Sequence, residues 1–182
     1  NLSNKLELII IVTGTHLCEQ FGDTIEEIEA DGVTINRKVD MLINSDKAVA
    51  ISKSIGIGVM SLGDSINELN PDLVLLLGDR FEVFAAAIAS MALRIPIAHI
   101  HGGEKTEGAI DESIRHSITK LSHIHFVATE EYRKRVIQLG EKKCNIFNVG
   151  GLGIDAINNL ELLSKSQLER ELGFKLQRRN LI

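Results

Sequence analysis

Gly78-Asp79-Arg80 directly follows the most apolar short run of the chain, Leu73 to Leu77, so a carboxylate and a guanidinium leave a strand together. A glycine there lets the backbone approach a ligand closely. The aspartate can exchange a proton or hold a sugar hydroxyl, and the planar guanidinium of Arg80 suits a phosphate. The structural alternative is an aspartate that caps the next helix and an arginine that pairs with Glu82 or with solvent. A second run ends in His99-Ile100-His101-Gly102-Gly103-Glu104. Alternation places His99 and His101 on one face, the glycine pair opens the backbone to a ligand, and Glu104 lies on the loop beyond. His123 and His125 repeat the i, i+2 spacing, which zinc could use. Neither pair has a nearby cysteine or a third ligand at a recognised spacing, so core or rim histidines are the preferred reading and no metal is expected.

A third polar cluster, Asp111-Glu112-Ser113-Ile114-Arg115-His116, opens a helix. Spacing predicts Asp111 with Arg115 and Glu112 with His116, each at i and i+4. Helix stabilisation alone accounts for that, yet the free amides of a helix N-terminus also attract phosphate. Three acidic clusters, each just after a strand, make a site more plausible than any one of them. Gly150-Gly151-Leu152-Gly153 lacks the GxGxxG spacing and reads as a turn, not a dinucleotide loop.

The elements that must position these groups are strand-length apolar runs alternating with helical patterns. The strands are expected at Leu6 to Thr13, Val33 to Val39, Leu73 to Leu77, Ile95 to Ile100, His123 to Val127 and Asn145 to Val149. Between them, Ser45 to Asn70 has apolar residues near a 3.6 spacing but contains Gly56, Gly58 and Gly63, which should bend or break it. Glu82 to Leu93 reads as a helix buried on most sides, and Asp111 to Leu121 and Thr129 to Leu139 complete the set. Thr129 can cap the last of these, and Gly140 can end it. Such alternation predicts an α/β fold, an open, mainly parallel, doubly wound sheet of Rossmann type covered on both faces. Its ligands bind at the carboxyl ends of the strands, where all three clusters fall.

The chain has 182 residues, 44% of them hydrophobic, enough for one well-buried core. One Rossmann-like domain is expected over 1–155, with a helical lead over 156–182, including one or two polar helices within Leu160 to Leu172, toward a second domain. Twenty basic against 25 acidic residues, without a basic block, give nucleic acid and anionic membranes no electrostatic footprint. Uninterrupted apolar runs are far shorter than the roughly 20 residues of a membrane span. Cys18 and Cys144 are distant and outside any CxxC, which suits a reducing, cytoplasmic setting and small core residues. Asn1 in place of Met, and an apolar turn at Asn180-Leu181-Ile182 like a strand beginning, read as the ends of a fragment.

Three stretches together carry a resemblance: Leu77 to Glu82, His99 to Glu104, and Ile110 to Ser122, supported by Thr13-Gly14-Thr15-His16-Leu17. They resemble the hydrolysing UDP-N-acetylglucosamine 2-epimerases of sialic acid biosynthesis over about Leu6 to Asp155. Non-hydrolysing relatives carry threonines after the Gly-Asp and differ where this chain reads Ile-Arg-His-Ser-Ile-Thr-Lys. The resemblance implies the first half of a glycosyltransferase-B-like enzyme, with a UDP-sugar held between two domains, no cofactor, and assembly as a homodimer or homotetramer. It implies Asp79, Glu104 and Asp111 as acid-base residues. Arg80 would hold the diphosphate, with His101, Gly102, Gly103, Glu112, Arg115, His116 and His16 around the substrate. An opening strand and helix with an Arg-Ala-Glu loop have no counterpart here, nor does the second domain. His101 stands where some members have Glu, which leaves the base and acid roles open between His101 and Glu104. A glycosyltransferase, a non-hydrolysing epimerase and a nucleotide-binding regulatory domain of flavodoxin type are the other readings. The last would place Mg²⁺ beside one phosphoacceptor, and the two additional acidic clusters speak against it.

Overall fold

A computed structural model describes residues 6–22, 24–45, 47–107, 110–160 and 162–176. The strand expected to begin at Asn180 lies outside them. The described chain divides into two compact units, residues 1–150 and 151–182.

In the first unit, β1 (Ile11–Thr13) and β2 (Arg37–Val39) form a parallel pair, with the helix α1 (Ile25–Ala30) between them in sequence. Both strands are shorter than their apolar runs suggest. Ahead of the ladder the Asn36 side chain accepts the Ile10 amide at 2.8 Å, so a side chain replaces the backbone partner there. A two-stranded ladder alone is marginal. Here the Thr13 hydroxyl adds a bond to the Val39 carbonyl at 2.5 Å.

The helix α2 (Ala48–Leu69) then runs unbroken for 22 residues, against the expectation of a break at its glycines. Gly58 faces the next helix. A Cβ on Gly58 would stand 2.9 Å from the Cβ of Ala85, so the missing side chain lets the two helices approach. Gly56 and Gly63 face open space, where the helix bears their cost. Among the described residues, α2 is the one helix long and apolar enough to cross a membrane, although Lys53, Asp64 and Glu68 interrupt its apolar sequence. It packs as a core helix: Leu62 and Ile66 join Val39, Met41, Ala85 and Ala89 in one buried cluster.

The main sheet is wholly parallel, in the order β3 (Val74–Leu77), β4 (Ile97–Ile100), β5 (Ile124–Val127), β6 (Ile146–Asn148). Its connecting helices are α3 (Phe81–Ala92), α4 (Asp111–Leu121) and α5 (Glu130–Gln138). Leu76 and Ile97 are buried with Ala87 of α3 and with Ile114 and Ile118 of α4. Val127 and Ile146 are buried against Val136 of α5. This is the α/β, Rossmann-like fold expected. The double cover read from the hydrophobic runs is incomplete at the edge strand β3, where Leu75 and Leu77 remain more than half exposed. Thr129 caps α5 by accepting the Tyr132 amide at 3.2 Å. Cys18 is half-buried and Cys144, on a short turn before β6, is exposed, so neither is the small core residue expected.

The second unit holds two short helices, α6 (Leu152–Asn159) and α7 (Lys165–Leu172). Ser164 and Gln167 form a reciprocal capping box at the start of α7, and Gly173 ends it in the left-handed region.

Candidate functional site

The carboxyl ends of β3 and β4 meet the first turns of α4, and the polar residues collect there. At the end of β3, Gly78 turns the chain with φ +82° and delivers Asp79. The guanidinium of Arg115, from the second turn of α4, donates to Asp79 Oδ2. The same guanidinium donates to the His101 carbonyl at 2.7 Å and to the Thr106 hydroxyl at 3.2 Å, and Glu104 Oε2 stands 3.7 Å away. Thr106 in turn donates to Asp79 Oδ2 at 3.2 Å. Arg115 is buried, with 7% of its side chain exposed. One enclosed cation therefore ties two carboxylates and a loop carbonyl from the ends of two strands. Removing any partner would leave a buried charge under-compensated.

The loop after β4 is bent back by His101, a non-glycine residue at φ +65°. β4 ends at Ile100, so strand alternation does not reach His101 and does not place it with His99. His101 Nδ1 lies 2.5 Å from Glu104 Oε1. Because a carboxylate oxygen accepts, Nδ1 carries a proton and donates it. Gly102 and Gly103 are both buried, and their close approach is to the protein itself. A Cβ on Gly102 would stand 3.1 Å from the Thr119 hydroxyl, and Gly103, at φ +78°, lies against the Tyr132 backbone. Arg135 of α5 donates to the Gly103 carbonyl while its guanidinium lies 5.7 Å from the centre of the Tyr132 ring.

Arg80 donates twice to Glu82, at 2.8 and 3.2 Å. This bond, together with the charges of Glu82, Asp111 and Asp79, raises the Arg80 pKa against the opposing effect of burial. Glu82 is nearly enclosed, and Gly14, at φ +67°, packs directly on it, so the β1 loop and the β3 loop share this carboxylate. Arg80 itself stays more than half exposed. His16, on the β1 loop, is exposed with Nδ1 2.7 Å from the Thr24 hydroxyl.

Asp111 does not pair with Arg115 as its spacing predicts. The Arg115 side chain is drawn inward to Asp79, a half-buried partner 36 positions away, while Asp111 is left among the charges that act on Arg80. Glu112 and His116 do approach each other, at 3.5 Å. Glu82, expected as a partner for Arg80, belongs to the assembly together with two residues that no motif singled out, Thr106 and Arg135. Glu82 had a signal in its i+2 spacing from Arg80. Thr106 and Arg135 had none, since each is recruited through the fold. His99 and His125 are fully buried side by side in the β4–β5 register. His123 Nδ1 accepts the Ile97 amide at 3.3 Å. Among the described residues no group of three His, Cys, Asp or Glu side chains could hold a metal ion.

Fold and site together define a Rossmann-like α/β unit whose ligand end carries a knot of carboxylates around a buried arginine. A family model described as UDP-N-acetylglucosamine 2-epimerase matches residues 1–182. The chain belongs to that family. It is 43% identical over 173 residues to the GDP/UDP-N,N'-diacetylbacillosamine 2-epimerase (hydrolyzing) of Campylobacter jejuni, covering 95% of this chain and 45% of that protein. It is 45% identical over 174 residues to the polysialic acid biosynthesis protein P7 of Escherichia coli, covering 96% of this chain and 44% of that one. The chain thus spans a little under half the length of these relatives. Among solved structures, the UDP-GlcNAc 2-epimerase of Neisseria meningitidis bound to UDP-GlcNAc superposes with a TM-score of 0.77 at 21% identity, covering 93% of this chain and 46% of that one. At that identity the likeness shows the fold.

Proposed function

We propose that the protein, at the full length of its relatives, is a soluble, cytoplasmic hydrolysing 2-epimerase. It converts UDP-N-acetylglucosamine to N-acetylmannosamine and UDP. The carrying observation is that Asp79 and Glu104, from the ends of different strands, are gathered on one buried arginine. In this reading a base removes the proton at C2 of the sugar. The C2–H electron pair becomes a C1=C2 double bond, and the C1–O bond breaks to release UDP. Water then adds across the double bond, with hydroxyl at C1 and a proton at C2 on the opposite face. The chemistry needs two proton-transferring groups, each worth about 10² to 10⁴ in rate.

Asp79 and the His101–Glu104 pair are assigned to those roles. Glu104 orients His101 through Nδ1, which, with the ring neutral, leaves Nε2 as the basic nitrogen. Asp79 offers the oxygen that Arg115 and Thr106 do not occupy. Asp111 is the third carboxylate, assigned to activating the incoming water, and Arg80 to the diphosphate. Arg115 is enclosed, so its part is to hold the carboxylates, not to reach the substrate. Glu112 and His116 border the site at the start of α4, and His16 borders it from the β1 loop.

A second substrate is favoured by a specific observation. Two relatives at 43% and 41% identity are named as N,N'-diacetylbacillosamine 2-epimerases, whereas a UDP-N-acetylglucosamine 2-epimerase from Neisseria meningitidis stands at 34%. The full-length protein should therefore be incubated in D₂O with each UDP-sugar in turn and followed by NMR. The expected result is UDP and a free 2-epimeric sugar carrying deuterium at C2. A UDP-linked epimer as the sole product would sink the hydrolysing assignment, and the better-turned-over sugar identifies the substrate.

A further inference from the structure

The structure assigns His99 as the positioning residue for Asp79: its fully buried ring bridges the carbonyl of Gly78, one residue before Asp79, to Thr119 of α4. The assignment rests on the function proposed for Asp79. His99 Nε2 lies 2.8 Å from the Gly78 carbonyl and Nδ1 lies 3.1 Å from the Thr119 hydroxyl. A carbonyl can only accept, so Nε2 carries the proton. Nδ1 must then accept, and the Thr119 hydroxyl donates to it. Both nitrogens are used, and the tautomer is fixed by its neighbours. Thr119 lies one turn beyond Arg115 on the same helix. The ring therefore ties the backbone that carries Asp79 to the helix that carries its counter-ion.

The linkage is needed because the Gly78 turn is otherwise weakly held. Gly78 sits at φ +82°, with open space where a side chain would be, and its own amide reaches the Ile100 carbonyl at 3.1 Å. The Arg115 contact with Asp79 constrains the side chain, whereas His99 constrains the peptide. The same ring sits behind the loop of His101, because a Cβ on Gly102 would stand 3.3 Å from Nδ1. One side chain thus backs both strand ends of the site without facing substrate. Burial lowers the His99 pKa to about 4, so the ring stays neutral and both bonds persist at neutral pH.

Two variants separate positioning from filling the core. In His99→Gln the side-chain amide reaches about as far as Nε2 and can still donate to Gly78. In His99→Asn it reaches about as far as Nδ1 and cannot. In the full-length protein, turnover of His99→Asn should fall about tenfold or more, with His99→Gln within about threefold of the parent and KM for the UDP-sugar within about twofold in both. Equal turnover in the two folded variants, with the Gly78 carbonyl unmoved in His99→Asn, would overturn the assignment. A crystal structure of His99→Asn provides a readout independent of activity. Displacement of the Gly78 carbonyl and of the Asp79–Arg115 pair supports positioning, and an unmoved pair overturns it. Displacement with unchanged turnover would support the placement by His99 and sink the catalytic reading of Asp79 instead. Should the variants fail to fold, long-range ¹H–¹⁵N NMR of the parent protein decides: the Nε2–H tautomer is expected, and the Nδ1–H tautomer overturns the assignment.

Discussion

The polar residues at the ligand end of the sheet fall into two groups that look alike in sequence and are built differently. Asp79, His101, Glu104 and Arg115 come from the ends of β3 and β4 and from α4, and they meet through contacts spanning up to 36 positions. Asp111, Glu112 and His116 lie within one turn and a half of a single helix, and their one close pair is local. A local pair stabilises its own helix by a few tenths of a kcal/mol and needs no further purpose. A long-range knot of charges around a buried arginine costs desolvation that hydrophobic residues of similar volume would avoid. Its presence at the binding end of a Rossmann-like sheet is better explained by chemistry than by stability.

The hardest test of this contrast is Asp79→Asn. Asparagine keeps the shape and one oxygen acceptor for Arg115 but removes the charge and the proton-transferring group. Turnover of the full-length protein should fall by about 10² to 10⁴ while the far-UV circular dichroism stays that of the parent. Turnover near the parent level would take Asp79 out of the mechanism. Next in size is Arg115→Met, which leaves Asp79 and Glu104 close together without their cation. Breaking a fully buried pair from one side costs about 3–5 kcal/mol, and because Asp79 and Glu104 are part-exposed a smaller loss, still above about 1 kcal/mol, is expected by urea unfolding. A loss below about 1 kcal/mol, the range of exposed pairs, would place the knot at the surface and dissolve the distinction between the two groups.

The strand-end group also stands on a titratable core, and the helix-start group does not. His99 is fully buried, with its folded pKa lowered from 6.5 to about 4 by desolvation. Between those values the unfolded chain binds a proton that the folded chain refuses, so stability rises with pH and is lost as pH falls. The loss begins near pH 6.5, proceeds at ~1.4 kcal/mol per pH unit, and levels off near pH 4, where the folded ring protonates too. His125, also lowered by burial, adds a loss of the same sign. Urea unfolding from pH 7 to 4.5 should therefore show a shallower decline in His99→Gln than in the parent. An identical decline would mean that His99 does not titrate as a buried neutral ring.

The legibility of the two groups follows from range. The ends of the strands and the starts of α2 to α5 are set by neighbours within a few residues, and the sequence showed them within a few positions, whereas α1 and the start of α6 at Leu152, where a turn was expected, went unread. The Asp79-Arg80 and His101-to-Glu104 segments were recognisable for the same reason. Pairing was not, because a helix surface offers Arg115 a partner at Asp111, while the folded core offers a less solvated one at Asp79 with Thr106 beside it. Nothing local to Thr106 or Arg135 marks them. The unbroken α2 teaches the same lesson: glycine propensity predicts a break, and the packing of Gly58 against Ala85 overrides it.

The smallest effect separates the groups from the other side. Glu112 is over a third exposed and stands 3.5 Å from His116, too long for a strong bond. Glu112→Gln should cost about 0.2–0.5 kcal/mol of stability, the worth of an i, i+4 pair. Its effect on the reaction should be confined to binding. KM should rise by no more than about fivefold, the equivalent of one hydrogen bond of ~1 kcal/mol, with kcat kept within about twofold. A fall in kcat of the size expected for Asp79→Asn would move the start of α4 into the catalytic group. The local spacing of its carboxylates would then have been the better guide to chemistry than the long-range knot.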